Sequence, residues 1–352
     1  MDNQIANYKY IHKKVNMADA IPLDTPFTVV IEPTNACNFK CSFCFHSLKS
    51  EELKKQGFSQ NNLSADQYKK IIEDITGFPE KIKVLRFSGF GEPLLNKKLG
   101  WMIEYAKGFD VAERIMVISN GSLLTNEASD SLIKAGLDEL LISVEGLSDA
   151  KYKELCLVDM NFEAFVNNVS YFYKNKNKNK NECKIFARIL NDDMSEADCR
   201  HFHNTFKSIT DAVFMDNIIP LFDGVNYSGL ITDDLKDIEG NPKKSLEVCI
   251  QPFNSLFIHA SGNVSACCTD YLEKIVFGNV FNESLIDIWN SQKLNKFRIM
   301  HLKKMRKKHL ACKKCDYMNY VNQEENILDD HSEEILDRMV NIPSVRRDIH
   351  AY

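Results

Sequence analysis

Residues 27–44 read Phe27-Thr-Val-Val-Ile-Glu32-Pro-Thr-Asn-Ala-Cys37-Asn-Phe-Lys-Cys41-Ser-Phe-Cys44. The first six are a β-branched, apolar run of strand character, and behind them a turn-forming stretch carries three cysteines. Three thiolates so spaced wrap one corner of a cubane iron–sulfur cluster and leave its fourth iron without a nearby protein ligand. A zinc site is the competing reading, but structural zinc takes four ligands and favours C-x2-C pairs.

Outward from that stretch the chain alternates. Strand-like runs at Phe27–Glu32, Lys83–Ser88, Glu113–Ser119, Glu139–Glu145, Lys184–Leu190 and Ala212–Asp216 are separated by amphipathic stretches beginning near Ser64, Leu95, Asn126, Ser148, Phe162 and Ser195. This is the pattern of βα units around a parallel sheet. Six units are too few for a closed eight-stranded barrel, so the expected class is α/β, a partial (β/α)6 barrel over residues 27–222. The stretch Asn175–Asn181 alternates Lys and Asn, has no apolar face, and reads as a solvated loop. Residues 223–248 read as a linker. A new unit is expected over 249–320, with Asn254–His259 and Asn263–Cys267 paired around Ser261-Gly262 and helical runs from Ser284 to Leu302. Residues 1–26 form an N-terminal extension, and 321–352 a tail with a helix at Glu324–Val340.

The 352 residues, 44% hydrophobic and 26% charged, suffice for a large core. A net charge of −5 gives no reason to expect nucleic acid, and the Lys/Arg-rich stretch Lys293–Lys314 is local. No apolar run approaches ~18 residues, and Met1–Met17 is too polar for a signal peptide, so a cytoplasmic protein with no membrane partner is expected. In a reducing compartment eleven cysteines point to metal ligation rather than disulfides. Seven fall into two groups with ligand-like spacing: Cys37, Cys41 and Cys44, then Cys249, Cys267, Cys312 and Cys315. Cys156, Cys183, Cys199 and Cys268 read as ordinary thiols, although adjacency leaves open whether Cys267 or Cys268 belongs to the second group.

The C-x3-C-x2-C spacing, with Phe43 before the last cysteine, resembles the motif of the radical S-adenosylmethionine (SAM) superfamily. Phe87-Ser-Gly89-Phe-Gly91-Glu92-Pro93 resembles that family's GGEP segment, which implies that its carbonyls and the Glu92 carboxylate hold the SAM amino group. Ser119-Asn120-Gly121 resembles the ribose-contacting position, and Glu145 and Arg188 resemble positions that touch the ribose or carboxylate of SAM. Singly these residues say little: turns use glycine everywhere, and Arg188 reads as a salt-bridge residue, Glu145 as a helix cap. Their order along successive strands carries the resemblance.

The C-terminal unit has Cys249, Gly262, Cys267 and Cys312-Lys-Lys-Cys315, with Phe277-Gly-Asn279 and Ile288-Trp289-Asn290 between. It resembles the SPASM group in its shortened twitch form. No cysteine follows Cys315, so the resemblance implies one auxiliary 4Fe-4S cluster with four thiolates. Such a cubane has no iron left for substrate and would accept or relay an electron; a four-cysteine zinc ribbon is the alternative.

Together these resemblances, which extend to enzymes of the 2-deoxy-scyllo-inosamine dehydrogenase type, imply a radical SAM oxidoreductase with SAM and two 4Fe-4S clusters. A 5′-deoxyadenosyl radical would abstract hydrogen from an alcohol carbon of a sugar, cyclitol or related small metabolite. The auxiliary cluster would accept the remaining electron, and a flavodoxin or ferredoxin would supply reducing electrons. Arg188 and Glu145 are candidates near the substrate hydroxyl, with the base unassigned. A radical epimerase or peptide-modifying enzyme is the second expectation, Cys156 then returning a hydrogen atom. The short region before Phe27 leaves no room for the leader-binding module usual in peptide maturases. A non-enzymatic zinc scaffold is the third.

Overall fold

The computed structural model describes residues 15–178, 182–190, 194–231, 233, 235–321 and 323–341. Its centre is a sheet of nine strands: β1 (Thr28–Ile31), β2 (Ile82–Phe87), β3 (Ala112–Ser119), β4 (Glu139–Val144), β5 (Lys184–Leu190), β6 (Ala212–Asp216), β7 (Ser255–Ile258), β8 (Asn263–Ser265) and β9 (Gly278–Asn279). Their order is β6-β5-β4-β3-β2-β1-β7-β8-β9. The first six pair in parallel, as expected, with Thr28 opposite Val84, Met116 opposite Glu139 and Phe186 opposite Ala212.

Helices lie between successive strands and cover one face. On it Val29, Ile31, Leu85, Phe87, Ile115, Val117, Leu140 and Ile142 pack with Ile71, Ile72, Met102, Ile103, Leu132 and Phe165 into the main core. The alternate residues Met116, Leu141, Phe186 and Phe214 form a smaller cluster on the opposite face, as the period-two side-chain pattern of strands requires. Ser64 caps Ala65–Ile75 with a reciprocal box to Gln67, and Ser195 does the same for Glu196–Phe206 through Asp198.

Three expectations are corrected. The Lys/Asn stretch is helical as far as Lys178, while residues 179–181 lie outside the described residues. The apolar stripe Phe165, Val169, Phe172 continues at helical spacing onto Lys176, which is buried. Its ammonium reaches Asp211 at 3.0 Å, so a charged residue occupies a core-facing position by pairing. The helix expected near Leu95 begins at Leu99, after a 3-10 turn at Pro93–Leu95. The expected C-terminal hairpin forms, β8 returning antiparallel to β7, and it joins the main sheet: β7 pairs in parallel with β1, Thr28 opposite Ser255 and Ile31 opposite Ile258. Apolar Leu256, Phe257 and Ile258 are buried there, and both edges of β1 are thereby paired. Finally, Glu324–Val340 is two 3-10 turns followed by a helix at Ser332–Val340. Asp329 breaks the run by accepting hydrogen bonds from the Glu247 and Val248 amides. Among the described residues no helix is long and apolar enough to cross a membrane.

Candidate active site

The loop after β1 is anchored on both sides. Lys40 and Ser42 donate backbone hydrogen bonds to the Cys156 and Leu155 carbonyls at the end of helix Asp149–Cys156. On the other side the Glu92 amide donates to the Ala36 carbonyl at 2.8 Å. Gly91 explains this close approach, because a Cβ there would stand 2.3 Å from the Thr34 oxygen and 2.5 Å from that of Ala36. Gly89 has φ +150, and its Cβ would meet Glu32 Oε1 at 2.7 Å.

Cys37 and Cys44 are half-buried and Cys41 buried. Cys41 donates to Cys156 Sγ at 3.5 Å, and Cys156 is fully buried behind the loop. Burial pushes Cys37 up to about 11 and Cys44 up to about 12. For Cys41 the hydrogen bond to Cys156, then burial, raise the thiol well above its ordinary value. These three thiols, with no carboxylate or imidazole among them, are a soft donor set suited to iron–sulfur chemistry. Phe43 packs with Phe39 and Tyr152, and its carbonyl accepts the Tyr227 hydroxyl at 3.1 Å.

Glu92 ties the second and third strand ends together. Its Oε1 accepts from the Leu94 amide (2.9 Å) and the Ser119 hydroxyl (2.7 Å), and its Oε2 from the Asn120 amide (2.7 Å). Oε2 keeps a lone pair for a further donor. The Asn120 side chain donates to Asn38 in the cysteine loop at 3.0 Å. Beyond β4, Glu145 is raised by burial to about 7 despite the opposing Arg188 charge, and its own charge raises all three loop thiols. Arg188 donates to Ser143 (3.3 Å) and faces Asp216 at 3.6 Å. The structure therefore gathers the three cysteines, Glu92, Ser119, Asn120, Glu145 and Arg188 along the carboxyl edge of the parallel strands.

The remaining cysteines line a second place. A cavity of about 1050 Å3 is walled by Cys249, Cys267, Cys312 and Cys315 together with Tyr271, His301 and Tyr317. Burial pushes Cys267 up to about 11 and Cys312 up to about 12, and raises Cys249 well above its usual value. Cys268 is absent from this wall. Among the described residues no three His, Cys, Asp or Glu side chains converge at the spacing of one bound ion. A cubane spreads its ligands over four irons, so what it asks for is a shared thiol-lined cavity.

Several residues here carry no signal in a motif. Glu32, buried and raised by that burial to about 7, accepts from the Phe90 amide (2.7 Å) and, with its other oxygen, from Ala260 (3.1 Å). It joins the loop after β2 to the C-terminal hairpin, and its place at the end of a buried strand was its only visible mark. Arg306 is buried and donates to the Cys312 and Cys315 carbonyls at 2.9 and 2.8 Å. Phe45, Phe90, Phe257 and Tyr271 pack between the two cysteine groups, with Phe45 stacked on Tyr271 at 4.2 Å.

Known families, proteins and structures resemble this chain. The family model of the radical SAM superfamily matches residues 31–196, and that of the SPASM iron-sulfur cluster-binding domain matches 249–316. The S-adenosyl-L-methionine-dependent 2-deoxy-scyllo-inosamine dehydrogenase of Niallia circulans is 22% identical over 307 residues, covering 86% of this chain and 98% of the relative. The tungsten-containing aldehyde ferredoxin oxidoreductase cofactor-modifying protein of Pyrococcus furiosus is 26% identical over 310 residues, covering 77% and 82%. Among solved structures, BtrN in complex with AdoMet and 2-DOIA superposes with a TM-score of 0.51 at 20% identity, over 82% of this chain and 92% of that one. SuiB of Streptococcus suis bound to S-adenosylmethionine does so with 0.60 at 14% identity, over 86% and 74%. At such identities the superpositions speak for the fold.

Proposed function

The chain belongs to the radical SAM superfamily and carries a SPASM iron-sulfur domain, and from that premise we propose that it oxidises an alcohol carbon of a sugar, cyclitol or related small metabolite. SAM and iron–sulfur clusters are its cofactors. When bound, the first cluster would supply the one-electron reduction of SAM that starts hydrogen abstraction, and the second would supply an acceptor for one electron.

In this reading Cys37, Cys41 and Cys44 ligate the first cluster, and Cys249, Cys267, Cys312 and Cys315 the second. Cys267 is preferred to Cys268 because it lines the cavity with the other three. Gly89 and Gly91 let the loop after β2 lie against the cysteine loop, and Glu92, Ser119 and Asn120 hold that edge in one piece for SAM to bind along it. Phe43 shields the first thiols, and Glu145, just past β4, and Arg188, in the neighbouring β5, are the candidates for handling the hydroxyl proton. A flavodoxin or ferredoxin supplies reducing electrons.

The observation that carries the proposal is the complete second thiol set. Four thiols around one cavity leave no iron for substrate, which suits an electron sink. The epimerase alternative asks for a hydrogen donor exposed to substrate, whereas Cys156 is fully buried against Cys41. The test is a metabolite screen for 5′-deoxyadenosine formation by the reconstituted protein, with mass analysis of product made in heavy water. Product two hydrogens poorer than substrate is expected; product of unchanged mass carrying solvent deuterium would show an epimerase instead.

A further inference from the structure

We propose that the lysine-rich loop over residues 303–314 is the docking surface for an acidic one-electron carrier protein, which receives an electron there from the C-terminal cysteine centre. The proposal rests on the reading that this centre holds a redox cluster. In the transfer one electron leaves the reduced centre and the oxidised carrier gains it; no bond forms or breaks, and no proton moves.

The charge of this loop departs from that of the whole chain. Against a net charge of −5, residues 303–315 hold no Asp or Glu, and Lys303, Lys304, Lys307, Lys308, Lys313 and Lys314 are all exposed. Lys307 pairs with Glu247 at 3.7 Å, but both side chains are solvent-exposed and the pair is weak. The acids on the cavity wall are Asp223 and Asp316, both exposed, and Asp270, which is buried. Leu310, 81% exposed, stands among these lysines. An apolar contact ringed by charge is the ordinary anatomy of a transient protein interface. A densely basic loop on an otherwise acidic protein steers an acidic partner to one face.

Position supplies the second argument. Lys308, Leu310 and Lys314 line the same cavity as Cys249, Cys267, Cys312 and Cys315. Arg306 pins the lysine loop to the Cys312–Cys315 turn through both of its cysteine carbonyls. A carrier seated on the lysines therefore sits directly over the thiols. Six exposed lysines distributed over twelve residues suit a broad acidic surface better than a single phosphate.

The test titrates cluster-loaded protein with a labelled, oxidised flavodoxin at low and high salt. The triple variant K304E/K307E/K313E is compared with K97E/K134E/K207E, a charge-matched control on exposed lysines elsewhere. We expect the loop variant to weaken binding at least tenfold at low salt and to flatten the salt dependence, with the control unchanged. Equal affinity in the two variants, or wild-type binding insensitive to salt, would overturn the proposal. Iron analysis of the same samples separates the two readings: about four irons instead of about eight, with binding still lost only in the loop variant, would refute the second cluster while supporting the docking surface.

Discussion

The two cysteine centres are built in opposite ways. Cys37, Cys41 and Cys44 lie on one short loop, and that loop is held by backbone hydrogen bonds to a helix end and to the segment after β2. Cys249, Cys267, Cys312 and Cys315 come from separated parts of the chain and meet at a cavity wall built by several elements of the C-terminal part. A local motif survives on its own geometry, whereas a dispersed one depends on everything that folds between its members. The second centre should therefore be more closely coupled to folding than the first.

The largest expected effect comes from removing one centre at a time. Replacing Cys37, Cys41 and Cys44 together by Ala should abolish 5′-deoxyadenosine formation and lower reconstituted iron from about eight to about four per chain. Cys312→Ala with Cys315→Ala should also leave about four irons, yet retain SAM cleavage while forming little oxidised product. Its thermal unfolding should fall further than that of the first variant, and equal unfolding temperatures would erase the proposed contrast.

A smaller loss is expected at the seam beneath the first loop. In Gly91→Ala the new methyl would meet the Thr34 and Ala36 carbonyls, at a cost of about 1–3 kcal/mol. Calorimetry should show that loss, and iron analysis should show weaker loading of the first centre with the second unaffected.

A third effect, read as pH dependence, concerns Glu32, which bonds to both regions through Phe90 and Ala260. Burial raises its carboxyl from the ordinary value to about 7, with Glu273 adding to the rise. The folded chain therefore binds this proton more tightly than the unfolded chain. That stabilisation is fully present below the unfolded value and is lost as pH rises to about 7, a change of about 3 kcal/mol in order of magnitude. Glu32→Gln should flatten this part of the stability–pH curve in denaturant titrations, while costing about 1–3 kcal/mol for an amide left without its acceptor. An unchanged slope would remove Glu32 as the titrating link between the regions.

Much of this was legible before any coordinates. β5 and β6 have the expected bounds, and β1 to β4 differ from expectation by a residue or so at their ends. Alternation of apolar strands and amphipathic helices is a local property, and so is the spacing of three thiols on one loop. Lys176 was misread because its polarity hid its place on an apolar helical stripe, where Asp211, far away in sequence, makes burial tolerable.

What the sequence by itself determined is therefore the order of βα units, the first cysteine loop and the residue types at the strand ends, since each depends on neighbours a few positions away. Only the tertiary structure decided that β7 would join β1 in one sheet, that Cys267 rather than Cys268 would face the shared cavity, and that Glu32 and Arg306 would brace the two centres. Those outcomes depend on hydrogen-bond edges, on which way side chains turn and on burial between segments up to 228 positions apart, quantities that exist once the chain has closed on itself.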